Sequence, residues 1–201
     1  MDYVELPPMP DKQTGEPRPP AAPHDLSRTP SRRVDRDRHR VRSPPDGEGP
    51  ILEWYVAPST TKWIVAMVFV SFGVAIYTFE DGGFGWTGHW LLWLLLAGAG
   101  WLGYASGHYH VMSAGADWFR DGQFIKTYEL TSVRISGYAG GWNLILKDKD
   151  GREATTHYAR LQSNPRLWDL VYNGILHSIC DGASVNRDAV IKLRLDKIGL
   201  Y

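Results

Sequence analysis

Between Trp63 and Phe119 the chain runs for 57 residues without a lysine or an arginine. Two uncharged, mostly apolar stretches of 17 residues lie inside that gap, Trp63–Phe79 and Trp90–Ser106. As helices rising 1.5 Å per residue, each covers about 26 Å, a little under the ~30 Å hydrocarbon core of a bilayer. Flanking Trp, Tyr, Thr and His side chains can sit in the interface and close the difference. Trp63, Tyr77, Trp86, Trp90, Tyr104 and Tyr109 stand where aromatic belts would be. A buried core helix of a soluble protein is the competing reading. Two such stretches, ten residues apart and free of basic residues, favour a membrane hairpin over residues 57–112, with spans at about 63–79 and 90–106.

This gap divides a chain whose averages are unremarkable for a soluble domain: 201 residues, net charge +0 and mean hydropathy −0.30. Eleven of the 13 prolines lie in residues 1–50. That stretch combines proline pairs, many charges and few apolar residues. It is read as a disordered tail over 1–56, because little apolar burial opposes about 1–2 kcal/mol of backbone entropy per residue. Its start lacks the basic and apolar regions of a secretory signal. Arg40, Arg42 and Lys62 precede the hairpin and Arg120 and Lys126 follow it, whereas the ten-residue loop between the spans has none. The excess of basic residues predicts both termini in the cytoplasm of a multi-pass inner-membrane protein.

Residues 113–201 form a small cytoplasmic α+β domain on this reading. Strands are expected at Asp117–Arg120, Phe124–Tyr128, Leu130–Ser136, Trp142–Lys147 and Arg152–Tyr158. Val133 and Ile135 alternate with Arg134 and Ser136 as a half-buried strand does, and Asp150-Gly151 marks a hairpin. Asn164 and Pro165 then open a helix that Gly182 can end. Leu167, Leu170, Val171, Ile175 and Ile179 make its apolar stripe. Gly174 interrupts it, where the helix would cross the sheet closely. Asn186 can cap a last helix over 187–195, although Ile191–Leu195 also alternates as a strand would.

Several groups could carry function. Arg32, Arg33, Arg36, Arg38, Arg40 and Arg42 form a basic tract about 20 residues ahead of the first span. Anionic lipid attracts such a tract by about 1 kcal/mol per basic residue. Lys147, Lys149 and Arg152 on a hairpin could add to it. Nucleic acid would answer the same charge, but interleaved acids and the lack of aromatic residues for stacking disfavour it. Ala99, Gly103 and Gly107, at four-residue spacing, are small enough for close helix packing within the hairpin or between copies. His108, His110 and His89 are interfacial histidines rather than ligands, and His177 with Cys180 lacks a second ligand pair. No metal, cofactor or catalytic residue is assigned. The chain has no G-x-S-x-G elbow, P-loop or G-x-G-x-x-G. Its spans carry no ionisable group for an ion path.

The Gly115–Phe119 start, the Leu130–Arg134 strand, the Asp148–Arg152 hairpin and the Asn164–Gly174 helix together resemble those of bacterial PH-domain membrane proteins. In these a Trp-rich two-helix hairpin feeds a small PH-like sheet closed by a helix. The resemblance covers roughly residues 60–196 and brings no catalytic motif. The expected function is that of a non-catalytic membrane adaptor, set in a lipid bilayer with a protein partner, with homo-oligomers open. The alternatives are a sensor of anionic lipid and an accessory protein for DNA handling or conjugative transfer at the membrane.

Overall fold

The computed structural model describes residues 6–25, 35–57, 60–80, 82–106 and 110–199. In chain order the elements are β1 (Glu53–Val56), α1 (Thr60–Glu80), α2 (Trp90–Ser106), β2 (Val111–Ala114), β3 (Trp118–Asp121) and β4 (Gln123–Lys126). There follow β5 (Leu130–Tyr138), β6 (Gly141–Asp148), β7 (Glu153–His157), α3 (Tyr158–Gln162), α4 (Pro165–Cys180), β8 (Ser184–Val185) and α5 (Arg187–Lys192). The protein is therefore α+β. It divides into two units: residues up to Val56 together with those from Val111 onward, and Ala57–His110.

In the first unit β1, β2, β3 and β4 form one antiparallel sheet in that order. The second sheet runs β7-β6-β5-β8, with β8 parallel to β5 and the rest antiparallel. Met112, Phe119, Ile125, Val133, Ile135, Leu144 and Leu146 point inward and are fully buried. They meet Leu167, Trp168, Val171 and Ile175 of α4 in one core. Arg134 and Ser136 alternate outward between Val133 and Ile135, as the period-two pattern requires. Gly151, at φ 81°, makes the β6–β7 turn.

Helix α4 starts where its sequence says it should. The Asn164 side chain accepts from the backbone N–H groups of Arg166 (3.2 Å) and Leu167 (3.4 Å), and Pro165 occupies the first turn. Ser178 fixes the other end of the helix to the β4–β5 connection. Its hydroxyl donates to the Thr127 carbonyl (2.9 Å) and accepts from the Leu130 N–H (3.0 Å). The last helix is shorter than expected. α5 stops at Lys192 because Arg194 turns left-handed at φ 55°. Asn186 does more than cap it: its amide pairs both with the Ile135 N–H (3.0 Å) and with the Ile135 carbonyl (2.7 Å), extending the edge of β5.

Two expectations need correction. The sequence suggests about five strands, and the described residues form eight. β1 and β8 are too short to show a period, and β2, four residues long, lies inside the stretch without basic residues. The tail was read as disordered over 1–56, yet its described residues belong to the first unit. Glu53–Val56 is a strand in register with β2, Val56 opposite Val111. Residues 6–25, a strap without helix or strand, lie on the domain with Pro10, Gly15 and Ala22 buried. Leu6 and Leu52 pack on the core. The apolar surface that orders this segment belongs to the domain and so cannot be counted from the tail's own composition.

In the second unit α1 and α2 pack antiparallel. Gly103 lies against Ala66 and Phe69, Gly100 against Val70 and Gly73 against Leu96, near enough that an added Cβ would fall within 3.1 Å of each partner. Gly103 is thus a packing residue of the helix pair, and Ala99 is half-buried. Gly73 and Gly100 share the task but fall outside the expected spacing. Gly107 lies outside the described residues. The Trp63 and Tyr104 rings meet at a tilt (5.3 Å), and Trp86, buried in the connection, contacts Tyr77 (5.9 Å) and Trp93 (5.5 Å). The outer faces are apolar and exposed, as at Trp63 (62%) and Phe79 (89%). Within α1, the segment Trp63–Glu80 is long and apolar enough to cross a membrane by length and composition. The apolar run of α2, Trp90–Ala105, is shorter.

Gly174 sits where α4 crosses the chain just after β4: an added Cβ would lie 2.5 Å from Thr127 Cβ and 2.9 Å from its carbonyl oxygen. Gly174→Ala gains about 1 kcal/mol of helix propensity but forces backbone apart. A net loss of about 1–3 kcal/mol is expected, read as a lower midpoint in denaturant.

Candidate functional site

One face of α4 carries the polar residues Asp169, Asn173 and His177 at four-residue intervals, beside Trp168. All four hold the strap. The Trp168 indole N–H donates to the Pro23 carbonyl (2.8 Å). The Asn173 amide donates to the Pro8 carbonyl (3.2 Å) and to the Tyr128 hydroxyl (2.9 Å). His177 Nε2 lies 2.7 Å from the Pro7 carbonyl; since a carbonyl only accepts, that nitrogen carries the proton. Asp169 accepts from the Ala22 N–H (2.8 Å). Three side-chain donors on one helix therefore meet three carbonyls, and every one of those carbonyls belongs to a proline.

Aromatic rings wall this face. Trp168 contacts Tyr158 edge-on (5.6 Å) and Tyr172 (5.3 Å), and Tyr128 contacts His177 (5.2 Å). Tyr172 and Tyr158 donate to the carbonyls of Leu193 (2.8 Å) and Lys192 (3.0 Å), tying α4 and the start of α3 to the end of α5. Burial raises the pKa of Tyr128 and of Tyr172 to about 12 and drives that of Tyr158 upward as well.

Between its two contact points on α4 the strap turns back at Asp11. The carboxylate accepts from the N–H groups of Gln13 (3.0 Å) and Thr14 (2.9 Å), which lower its pKa. This turn carries Lys12 to Asp117 (2.8 Å), and Arg18 lies 3.6 Å from Glu53. Both carboxylates belong to the sheet end of the domain and are buried, at 8% and 1% exposure. The bond to Asp117 raises the pKa of Lys12. The strap thus brings cations to acids that the fold has taken out of water. Asp25, at its end, faces Arg194 (3.6 Å) and Lys192 (3.7 Å).

The residues singled out from the sequence lie elsewhere. Arg32 and Arg33 are outside the described residues, as is the side chain of Arg36. Arg38 lies over the Trp54 ring at 5.8 Å, and Arg40 and Arg42 are exposed. Lys147 and Lys149 are exposed on the β6–β7 hairpin. Arg152 is drawn inward, bonded to Asp148 (2.7 Å) and Asp150 (2.6 Å) and stacked over Phe124 at 4.7 Å. With Glu153 this hairpin holds three acids for its three bases, so it presents no net positive charge. His177, weighed as half of a weak metal pair, is bound to the strap. Among the described residues no three His, Cys, Asp or Glu side chains converge as metal ligands would.

The face on α4 was missed because its members read as core or as helix surface. Only the polar positions 169, 173 and 177, one helical turn apart beside an apolar stripe, signal a second buried face.

Two measurements probe this arrangement. Trp168→Phe keeps the ring but deletes the donor to Pro23. It should cost about 1–3 kcal/mol and speed proteolysis within residues 6–25 before the sheets unfold. Alkali should act more broadly. The tyrosine and Lys12 pKa values lie above their ordinary ones, so the stability they contribute is complete below pH 10 and falls as pH rises towards 12. Tyrosinate absorbance should show Tyr128, Tyr158 and Tyr172 ionising late and together with unfolding.

Comparison of the chain with protein-family models, with curated proteins and with solved structures gives no match.

Proposed function

We propose that this chain is a non-catalytic, membrane-anchored adaptor: α1 and α2 form a two-span anchor, and the α+β unit is a PH-like module that binds polypeptide. The observation that carries this reading is the face of α4. It grips an irregular proline-rich chain with side-chain donors and aromatic walls, which is the equipment of a peptide-binding surface rather than of a catalytic one. The PH-like reading is supported by seven antiparallel strands in two sheets followed by a helix packed against them. The two-span reading is supported by the exposed apolar faces of both helices and by their tight glycine-mediated packing, the way helices associate in lipid. The excess of basic residues on both sides of the hairpin supports a cytoplasmic position for both termini.

The alternative of an anionic-lipid sensor loses its second half at the charge-balanced β6–β7 hairpin. What remains of it is the arginine tract, where Arg120 donates to the Ser43 carbonyl (2.9 Å) and holds the end of that tract on β3.

Anchoring has a direct test. Val56 and Val111 face each other across an antiparallel pair, so an Asn-Gly turn can replace Ala57–His110 and close β1 onto β2. The intact chain should stay with membranes through an alkaline carbonate wash. The shortened chain should appear folded in the supernatant, with a cooperative melt. Release of the intact chain by carbonate would refute the anchor. Crosslinking in native membranes should then capture a protein with the intact chain and lose it when residues 113–201 are removed.

A further inference from the structure

The strap is rich in proline. Seven of the twenty residues 6–25 are prolines. A proline has no backbone N–H, so a run of them presents acceptors and no donors. The face of α4 presents the complement. Trp168 Nε1, Asn173 Nδ2 and His177 Nε2 all donate, and all three reach proline carbonyls. An indole N–H set among tyrosine rings is the chemistry by which proline-rich segments are recognised between chains. Trp168 and His177 stand nine residues apart on α4, about 13 Å. That is the length of four or five residues of extended polyproline. A short proline-rich peptide can therefore run along the whole row that the strap reaches in two pieces.

Resting on the adaptor reading above, we propose that this face of α4 is a binding site for a proline-rich peptide of a partner protein, and that residues 6–25 are the ligand that fills it in cis. The partner segment offers proline carbonyls to Trp168, Asn173 and His177. A basic residue beside them replaces Lys12 at Asp117. The site tolerates no apolar substitute, because an occupant without those groups leaves the buried Asp117 and three donors unpaired. Seventeen residues, 26–42, join the strap to Ser43, which Arg120 holds on β3, so the strap can leave while remaining attached. Its tethering gives it an effective concentration in the millimolar range. The partner must therefore be clustered at the membrane to compete.

The test uses the chain in detergent micelles and, as probe, a fluorescently labelled synthetic peptide of residues 5–25. The chain lacking residues 1–25 should bind the peptide saturably and at least tenfold more tightly than the intact chain. Trp168→Phe together with Asn173→Ala should weaken binding to the truncated chain roughly ten- to hundredfold. A truncated chain that keeps its cooperative melt and binds no peptide overturns the proposal. If truncation prevents folding, a protease site inserted between Arg28 and Thr29 and cut after folding gives the same answer. Exchange of the nicked strap for labelled peptide supports the proposal; a nicked strap that never exchanges overturns it. A dimer of the intact chain that Trp168→Phe abolishes would give the site to the strap of a second copy and overturn the assignment to a partner protein. Loss of peptide binding with crosslinked capture retained would end this proposal alone and leave the adaptor reading with its partner on another face.

Discussion

The antiparallel pairing of β1 with β2 is the contact on which the organisation depends. It joins residues separated by the 54 positions from Ala57 to His110. Closing a flexible loop of that length would cost several kcal/mol, rising as (3/2)RT ln n. The inserted segment is not flexible. Gly103 packs on Ala66, and the Trp63 ring meets that of Tyr104, so the helical hairpin brings its own two ends together. The Ala57 N–H then donates to the His110 carbonyl (2.9 Å) and continues the ladder of β1 and β2 by one rung. Most of the closure cost is met inside the hairpin, and a four-residue strand suffices to complete the first sheet.

Local signals were legible wherever one residue type answers one geometric need. Asn164, Pro165 and the stripe from Leu167 to Ile179 located α4, Asp150-Gly151 located the β6–β7 turn, and Val133 with Ile135 assigned the inward face of β5. The close crossing at Gly174 was legible for the same reason, since only the absence of a Cβ fits there. Non-local features were not. β1 is four residues, Glu53–Val56, and has strand character only because β2 is opposite it. β8 is two residues long. The last helix alternates as Ile191–Leu195 because a left-handed Arg194 follows the helix end, and Leu193 and Leu195 are both buried by different turns of the chain. In the hairpin, spacing of small residues by four selected Ala99, Gly103 and Gly107. Among the described residues the close approaches are at Gly73, Gly100 and Gly103, because the contact surface follows the partner helix as well as one face.

The site shows the same divide more sharply. Charge draws attention to the tract from Arg32 to Arg42 and to Lys147, Lys149 and Arg152, yet charge in sequence does not say whether it is spent. At Arg152 it is spent on Asp148 and Asp150. Buried acids worked the other way. Asp117 and Glu53 are buried, and the cations that face them, Lys12 and Arg18, come from the distant strap. His177 and Asn173 likewise acquire meaning from Pro7 and Pro8, about 170 residues away. A pairing of that range has no period and leaves no local mark.

The composition that argued for disorder also explains how so polar a segment can be held. Ordering a residue costs about 1–2 kcal/mol of backbone entropy, but a proline has φ fixed beforehand and loses less. With no N–H, it also creates no donor that must find a partner when covered. A strap in which a third of the residues are prolines is thus cheap to immobilise and undemanding to bury. Its remaining polar groups are met one by one: the Ala22 N–H by Asp169, Lys12 by Asp117, Asp25 by Arg194 and Lys192. Proline content marks disorder when a segment has no surface to lie on. Here α4 supplies that surface, with donors placed for carbonyls that nothing else in the strap could satisfy.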